Sequence, residues 1–127
     1  MRAFFVYHLP AIAYAGLIIG LSSLTNVTLP RTQFIELDKV IHFCEYALFG
    51  YLVWRSLCHL HSAVGTIDAA FLGVGFVTLF ALADELYQSF VPNRQPDIAD
   101  FFTDVIGAAM AIAVCLLIKS RTQRVIA

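Results

Sequence analysis

Charge is what this sequence has least of. Only 13% of its 127 residues are Asp, Glu, Lys or Arg, about half of what a soluble domain uses to cover its surface. With 60% hydrophobic residues and a mean hydropathy of +0.80, the chain cannot be wetted all round, and an integral membrane protein is expected. The net charge of −1 excludes a general attraction for nucleic acid. Cysteine is scarce as well. Cys44, Cys58 and Cys115 form no CxxC pair and are odd in number. The apolar surroundings of Cys44 and Cys115 therefore predict buried thiols, not a disulfide framework or a zinc site. Internal repeats and low-complexity segments are lacking. So is a serine or cysteine beside a clear base, which argues against a covalent nucleophile.

What the chain does have is long apolar runs. Phe4 to Leu24 carries no formal charge and is long enough to cross a hydrocarbon core of about 30 Å; Pro10, in its first turns, is tolerated in membrane helices. Arg2 before an apolar core also fits a cleaved signal peptide. The run is too long for one, though, and no small-x-small site follows at the right distance. The first loop is marked by Asn26, Pro30, Arg31 and Glu36, and a second by His59, His61 and Gly65. Pro92 and Pro96 punctuate a third. These divisions predict an all-α, polytopic bundle of four transmembrane helices in one domain over residues 1–127, with spans at 4–24, 38–57, 67–90 and 100–118. An even number of spans puts both termini on one face with Arg2, Arg55, Lys119, Arg121 and Arg124, against Arg31, Lys39 and Arg94 on the other. By the positive-inside rule the termini are expected in the cytoplasm.

The few charges that fall at membrane depth are concentrated between Asp84 and Asp104 and at the start of span two. Such charges are costly in lipid and point to a site. The first and third loops share a face, so the start of span two, the end of span three and the start of span four meet there. At about 100° per residue, Asp38, His42 and Glu45 lie within about 60° of one another. Asp84 and Gln88 are one turn apart, as are Glu85 and Gln88. Asp100, Asp104, Gly107 and Ala111 form one stripe, whose small residues allow close packing on a neighbouring helix. Some of these groups have plainer roles. Asp38, Asp97 and Asp100 stand where helix caps belong, and Lys39 and Arg94 can snorkel to headgroups. His42 can be a core histidine, and Tyr46 and Tyr87 interfacial anchors. His59 and His61 belong to the opposite face, and Asp68 is a first-turn charge on span three. Glu85 is harder to explain, because the helix dipole opposes a negative charge near a C-terminus. It must be paired, hydrated or protonated, and Arg94 is its expected partner.

Asp38-Lys39-x-x-His42-x-x-x-Tyr46, then Glu85-x-x-Gln88-x-Phe90-x-Pro92-x-Arg94, then Asp100 and Gly107, resemble the pattern of the VanZ-like family of small bacterial membrane proteins. Asp104 stands where that family usually has Asn, Asp97 where a small hydroxyl residue is common, and Ala111 replaces a second glycine. The resemblance implies a role in the bacterial cell envelope and a link to resistance to the lipoglycopeptide teicoplanin, and it names no reaction. The expected ligand groups are Asp38, Lys39, His42, Tyr46, Glu85, Gln88, Arg94, Asp100 and Asp104. The expected partner is a membrane lipid or lipid-linked envelope precursor held at the extracytoplasmic end, with no cofactor, no resident metal and no nucleic acid. A homo-oligomer through Gly107 and Ala111 is a further expectation. The alternative is a membrane-embedded hydrolase or transferase. It would use His42 and Glu85 or Glu45 as acid and base, or a divalent metal on the Asp38, His42, Glu85, Asp100 and Asp104 set. A transporter is disfavoured, since the acids sit in one half only.

Overall fold

The computed structural model describes residues 1–24, 37–60, 64–92, 94 and 96–126; the expectations on Asn26, Pro30, Arg31, Glu36 and His61 lie outside them. Among the described residues every regular element is helical: α1 (Leu9–Ser22), preceded by π-helical turns over Phe4–His8, α2 (Leu37–Leu57), α3 (Thr66–Gln88) and α4 (Ile98–Ile126). Phe4–Ser22, Thr66–Gln88 and Ile98–Thr122 are each long and apolar enough to cross a membrane. α2 is less apolar because it carries Asp38, Lys39, Glu45 and Arg55. It is also the central helix, packed against all three others.

The molecule is apolar on its outer surface, and its buried polar groups gather at one end. Phe71, Leu72, Phe76, Leu79, Leu82 and Leu86 are exposed on α3, and Phe102, Ile106, Met110, Val114 and Leu117 on α4. A soluble monomer does not present so continuous an apolar surface; lipid covers it at no cost. The core between helices is built from Ile18, Tyr46, Phe49, Val53, Val77, Ala81 and Ala108, with the Phe49 and Phe80 rings 4.8 Å apart. Lipid is as apolar as these side chains, so close packing and hydrogen bonds hold the helices together, not burial from water. Small residues set the closest approach. A Cβ on Gly50 would lie 2.8 Å from Cα and Cβ of Ala108, and one on Gly107 would lie 2.5 Å from the carbonyl oxygen of Phe43. α2 and α4 therefore touch backbone to backbone.

Three expected boundaries move. α3 ends at Gln88, and the chain then turns through i→i+3 bonds from Phe90 to Tyr87 (3.0 Å) and Val91 to Gln88 (3.0 Å). α4 begins at Ile98 because Asp97 caps it, accepting the Ala99 N–H at 2.8 Å. It runs on to Ile126, past the expected end at 118, because no Pro or Gly follows Gly107 and Lys119, Arg121 and Arg124 suit the negative end of the helix dipole. The π-helical opening is unforeseen. Pro10 has no N–H for the carbonyl of Val6, four residues back, and Arg55 Nη2 donates to that carbonyl from α2.

One further expectation is corrected. Cys44 is exposed on α2, not buried; a thiol behaves as a small apolar group, and beside Val40, Ile41 and Leu48 it belongs to the lipid-facing side. Gly107, offered by the sequence to a second copy, is buried on Phe43 within the chain. The two ends of the bundle differ. At one, Lys119 Nζ donates to Thr66 Oγ1 (2.8 Å) and His8 Nδ1 meets Ser56 Oγ (2.7 Å), so both termini lie there. The other end gathers the acids.

Candidate functional site

At that end the last turn of α1, the first turns of α2, the last turns of α3 and the start of α4 are tied by polar side chains. Asp84 is the hub. Its Oδ2 accepts from Ser22 Oγ on α1 at 2.9 Å, Tyr46 OH on α2 at 3.3 Å and Gln88 Nε2 at 3.1 Å. One carboxylate oxygen thus joins three helices. Gln88, one turn on, uses its own Oε1 to accept from Arg94 Nη1 at 3.3 Å. The turns after α3 bring Arg94 back over the helix ends, where it also donates to the carbonyls of Leu21 (3.2 Å) and Leu24 (3.4 Å). These two carbonyls belong to the exit of α1, where intrahelical donors run out.

A second set joins α2 to α4. His42 Nδ1 lies 3.0 Å from Asp104 Oδ1. Asp104 is completely buried and His42 is 8% exposed, so their partnership is sheltered from water. Lys39 bridges Asp97 at 2.6 Å and Asp100. The Lys39 ammonium beside Asp97 holds that carboxyl below the usual aspartate range. Its contribution to stability is therefore complete above the ordinary aspartate pKa and is lost as pH falls through the lowered one. The pair is half exposed, so the effect is expected to stay under about 1 kcal/mol. Asp97→Asn keeps the cap and should flatten this acid-side loss, read as the unfolding midpoint in detergent across the acid range.

Between these sets lies a cavity of about 130 Å³ lined by Ser22, Asp38, His42, Glu45, Gln88 and Arg94, with Leu21, Leu24 and Ile41. Of the expected ligand groups, Asp38, His42, Gln88 and Arg94 face it. Asp104 stands behind His42, and Lys39 is held by Asp97 and Asp100. Tyr46 does not reach the cavity: it is fully buried, with its OH on Asp84. Glu85 is not paired with Arg94. Its Oε2 accepts the backbone N–H of Asp97 at 2.9 Å, because the chain reverses so tightly that the α4 cap comes within reach while Arg94 swings toward α1. Asp100 is not a cap; it lies in the first turn of α4, beyond Asp97.

Ser22 and Asp84 were not among the expected ligand groups, yet they organise this end of the bundle. Asp84 carried a signal in its one-turn spacing from Gln88; Ser22 is a small hydroxyl at the end of an apolar run. Glu45 does line the cavity, on the helix face it shares with Asp38 and His42. Four buried carboxylate oxygens, on Glu45, Asp84, Glu85 and Asp104, have no partner among the described residues. The arrangement has more acceptors than donors. It can orient an imidazole, bind a small headgroup through Arg94 and His42, and receive a group rich in donors or positive charge.

A family model described as VanZ/LLP1 matches residues 5–119, nearly the whole chain. No curated protein and no solved structure matches it.

Proposed function

We propose, from the premise that the chain belongs to the VanZ/LLP1 family, that it is a four-span protein of the bacterial cytoplasmic membrane that binds or modifies a lipid headgroup in the polar cavity between its helix ends. In this reading α2 is the fourth span. It has 21 residues, the length a crossing requires, and it shows lipid an apolar side of Val40, Ile41 and Leu48. The basic residues at the opposite end support a cytoplasmic position for both termini by the positive-inside rule, and the cavity then opens outward at headgroup depth.

The observation that carries the reading is the mixed chemistry of the cavity. Arg94 and His42 supply donors for a phosphate, while Asp38 and Glu45 supply acceptors for the ammonium or hydroxyl groups of the same headgroup. Its size narrows the ligand. A volume of 130 Å³ corresponds to about four waters, enough for a phosphate or an amine and too small for a sugar. A phospholipid headgroup, or the phosphate of a lipid-linked precursor whose sugars remain outside, fits this limit. A role in glycopeptide (teicoplanin) resistance would follow from altered surface lipid and is testable by deletion.

The test is native mass spectrometry of the detergent-purified protein, with wild type beside Arg94→Ala and Glu45→Gln. Wild type should carry a lipid, and occupancy should fall at least about tenfold in Arg94→Ala, the loss of one charge-assisted contact of about 1.5–3 kcal/mol. A wild type without lipid, or equal occupancy in Arg94→Ala, would sink the proposal. One observation favours the enzymatic alternative. His42 is oriented by buried Asp104, as a general base is oriented by a third group. Turnover of a phospholipid that disappears in His42→Ala would establish it; Glu85, away from the cavity, would then act at a distance or not at all.

A further inference from the structure

The geometry points to a binding site for one divalent transition-metal ion, of the Zn²⁺ or Mn²⁺ class, on Asp38, His42 and Asp100, with Asp104 as the residue that positions the His42 ring. One nitrogen of His42 and one carboxylate oxygen from each of Asp38 and Asp100 lie within 4.8 Å of one another. Tetrahedral metal bonds of about 2.0–2.2 Å hold donors about 3.3–3.6 Å apart, so closing on an ion draws the three side chains together by up to about an ångström, through rotation of the two carboxylates. One imidazole and two carboxylates suit zinc or manganese better than calcium or magnesium, which favour all-oxygen sets.

Acidic clusters are common without ions, and a second feature separates this one from them. His42 is more than nine-tenths buried and meets Asp104 through Nδ1. Nε2 is then the nitrogen open to a metal. A carboxylate on the far ring nitrogen is the usual support of a metal-bound histidine, fixing its tautomer and raising its basicity. Asp104 itself is 0% exposed, and its Oδ2 has no partner among the described residues. An ion on the far side of His42 would add positive charge to the ring that Asp104 already holds through Nδ1. Lys39 holds Asp100 through Oδ1, leaving the other oxygen for the ion.

The site also bears on the cavity. Asp38 and His42 line it, so an ion they held would add positive charge beside Arg94, where unpaired acids otherwise discourage a phosphate. This role toward a headgroup rests on the function proposed above; the ion site does not.

The test is Mn²⁺ binding by the full chain in detergent after chelator treatment, read by pulsed electron paramagnetic resonance with lipid content measured on the same samples. Wild type should hold one Mn²⁺ per chain with the modulation of a coordinated imidazole nitrogen. Asp104→Asn should weaken binding about 10–100-fold, and His42→Gln should abolish the nitrogen signal. Asp68→Asn, at the other end of the bundle, should change neither. A folded wild type that binds no Mn²⁺ or Zn²⁺ overturns the site without any variant, and so does a bound ion lacking the nitrogen modulation. An ion bound as described with no lipid retained would leave the site standing and remove the headgroup reading. Lipid retained by protein that binds no ion would do the reverse.

Discussion

Asp84→Ala is expected to destabilise the protein by about 2–5 kcal/mol, two hydrogen bonds between membrane helices at roughly 0.6–1.7 kcal/mol each and one within α3 at about 0.5–1.5 kcal/mol. The loss is concentrated because one oxygen, Asp84 Oδ2, receives Ser22, Tyr46 and Gln88. Removing it strands the Tyr46 hydroxyl in the completely buried centre, where an unpaired donor is costly. It also releases α1, whose end is otherwise held by Arg94 on the Leu21 and Leu24 carbonyls and by Ser23 on Tyr87 OH at 2.9 Å. Asp84→Asn retains an acceptor and should lose less. The check is the unfolding midpoint in mixed SDS micelles for Asp84→Ala, Ser22→Ala and the double variant. If the hub is real, Ser22→Ala adds little once Asp84 is gone.

Gly107→Ala is the second large effect. Its new Cβ would lie 2.5 Å from the Phe43 carbonyl oxygen, and backbone cannot rotate away as a side chain can. α2 and α4 must separate, at the cost of overpacking, about 1–3 kcal/mol. The separation would be felt at the site, because Phe43 follows His42 and Gly107 lies one turn after Asp104. Gly107→Ala should therefore lower stability and, where an ion or lipid is held, weaken that binding too. Gly16→Ala, Gly20→Ala and Gly75→Ala supply the controls: nothing lies within 4 Å of the added methyl, and helix propensity favours alanine. A Gly107→Ala protein as stable as these controls would show that α2 and α4 do not cross as closely as described.

Much of this was legible in the chain because two kinds of signal are local. Apolar runs of membrane length announce helices, and helical phase places Asp100, Asp104 and Gly107 on one side wherever the helix goes. Hence the gathering of acids at one end, and the close packing below Asp104, follow from the sequence. Pairings are not local. Glu85 and Arg94 are close in sequence and opposite in charge, yet Glu85 takes the Asp97 N–H and Arg94 reaches α1, because the turn between them decides the geometry. Tyr46 could be placed near the site by phase but not in depth, and only the packing of α2 at the centre shows it sealed behind Asp84. Ser22 carried no charge to mark it. The Val6 carbonyl, freed by Pro10, finds its donor in Arg55 of another helix, a pairing which no window of sequence reveals.

The polar bonds of this end also set an order in time. Ser22 meets Asp84 62 residues later, His42 meets Asp104 62 residues later, and Leu21 meets Arg94 73 residues later. At a synthesis rate of about 5–20 residues per second, α1 and α2 wait about 3–15 s for their partners. α1 can wait quietly, since it is apolar on every side and lipid suits it. α2 cannot, because it enters with Asp38, Lys39, His42 and Glu45 uncovered. During that interval it is the part of the nascent chain most exposed to chaperones and membrane proteases, so lesions in Asp84 or Asp104 should lower the amount of protein in the cell before they are seen in anything the finished molecule does.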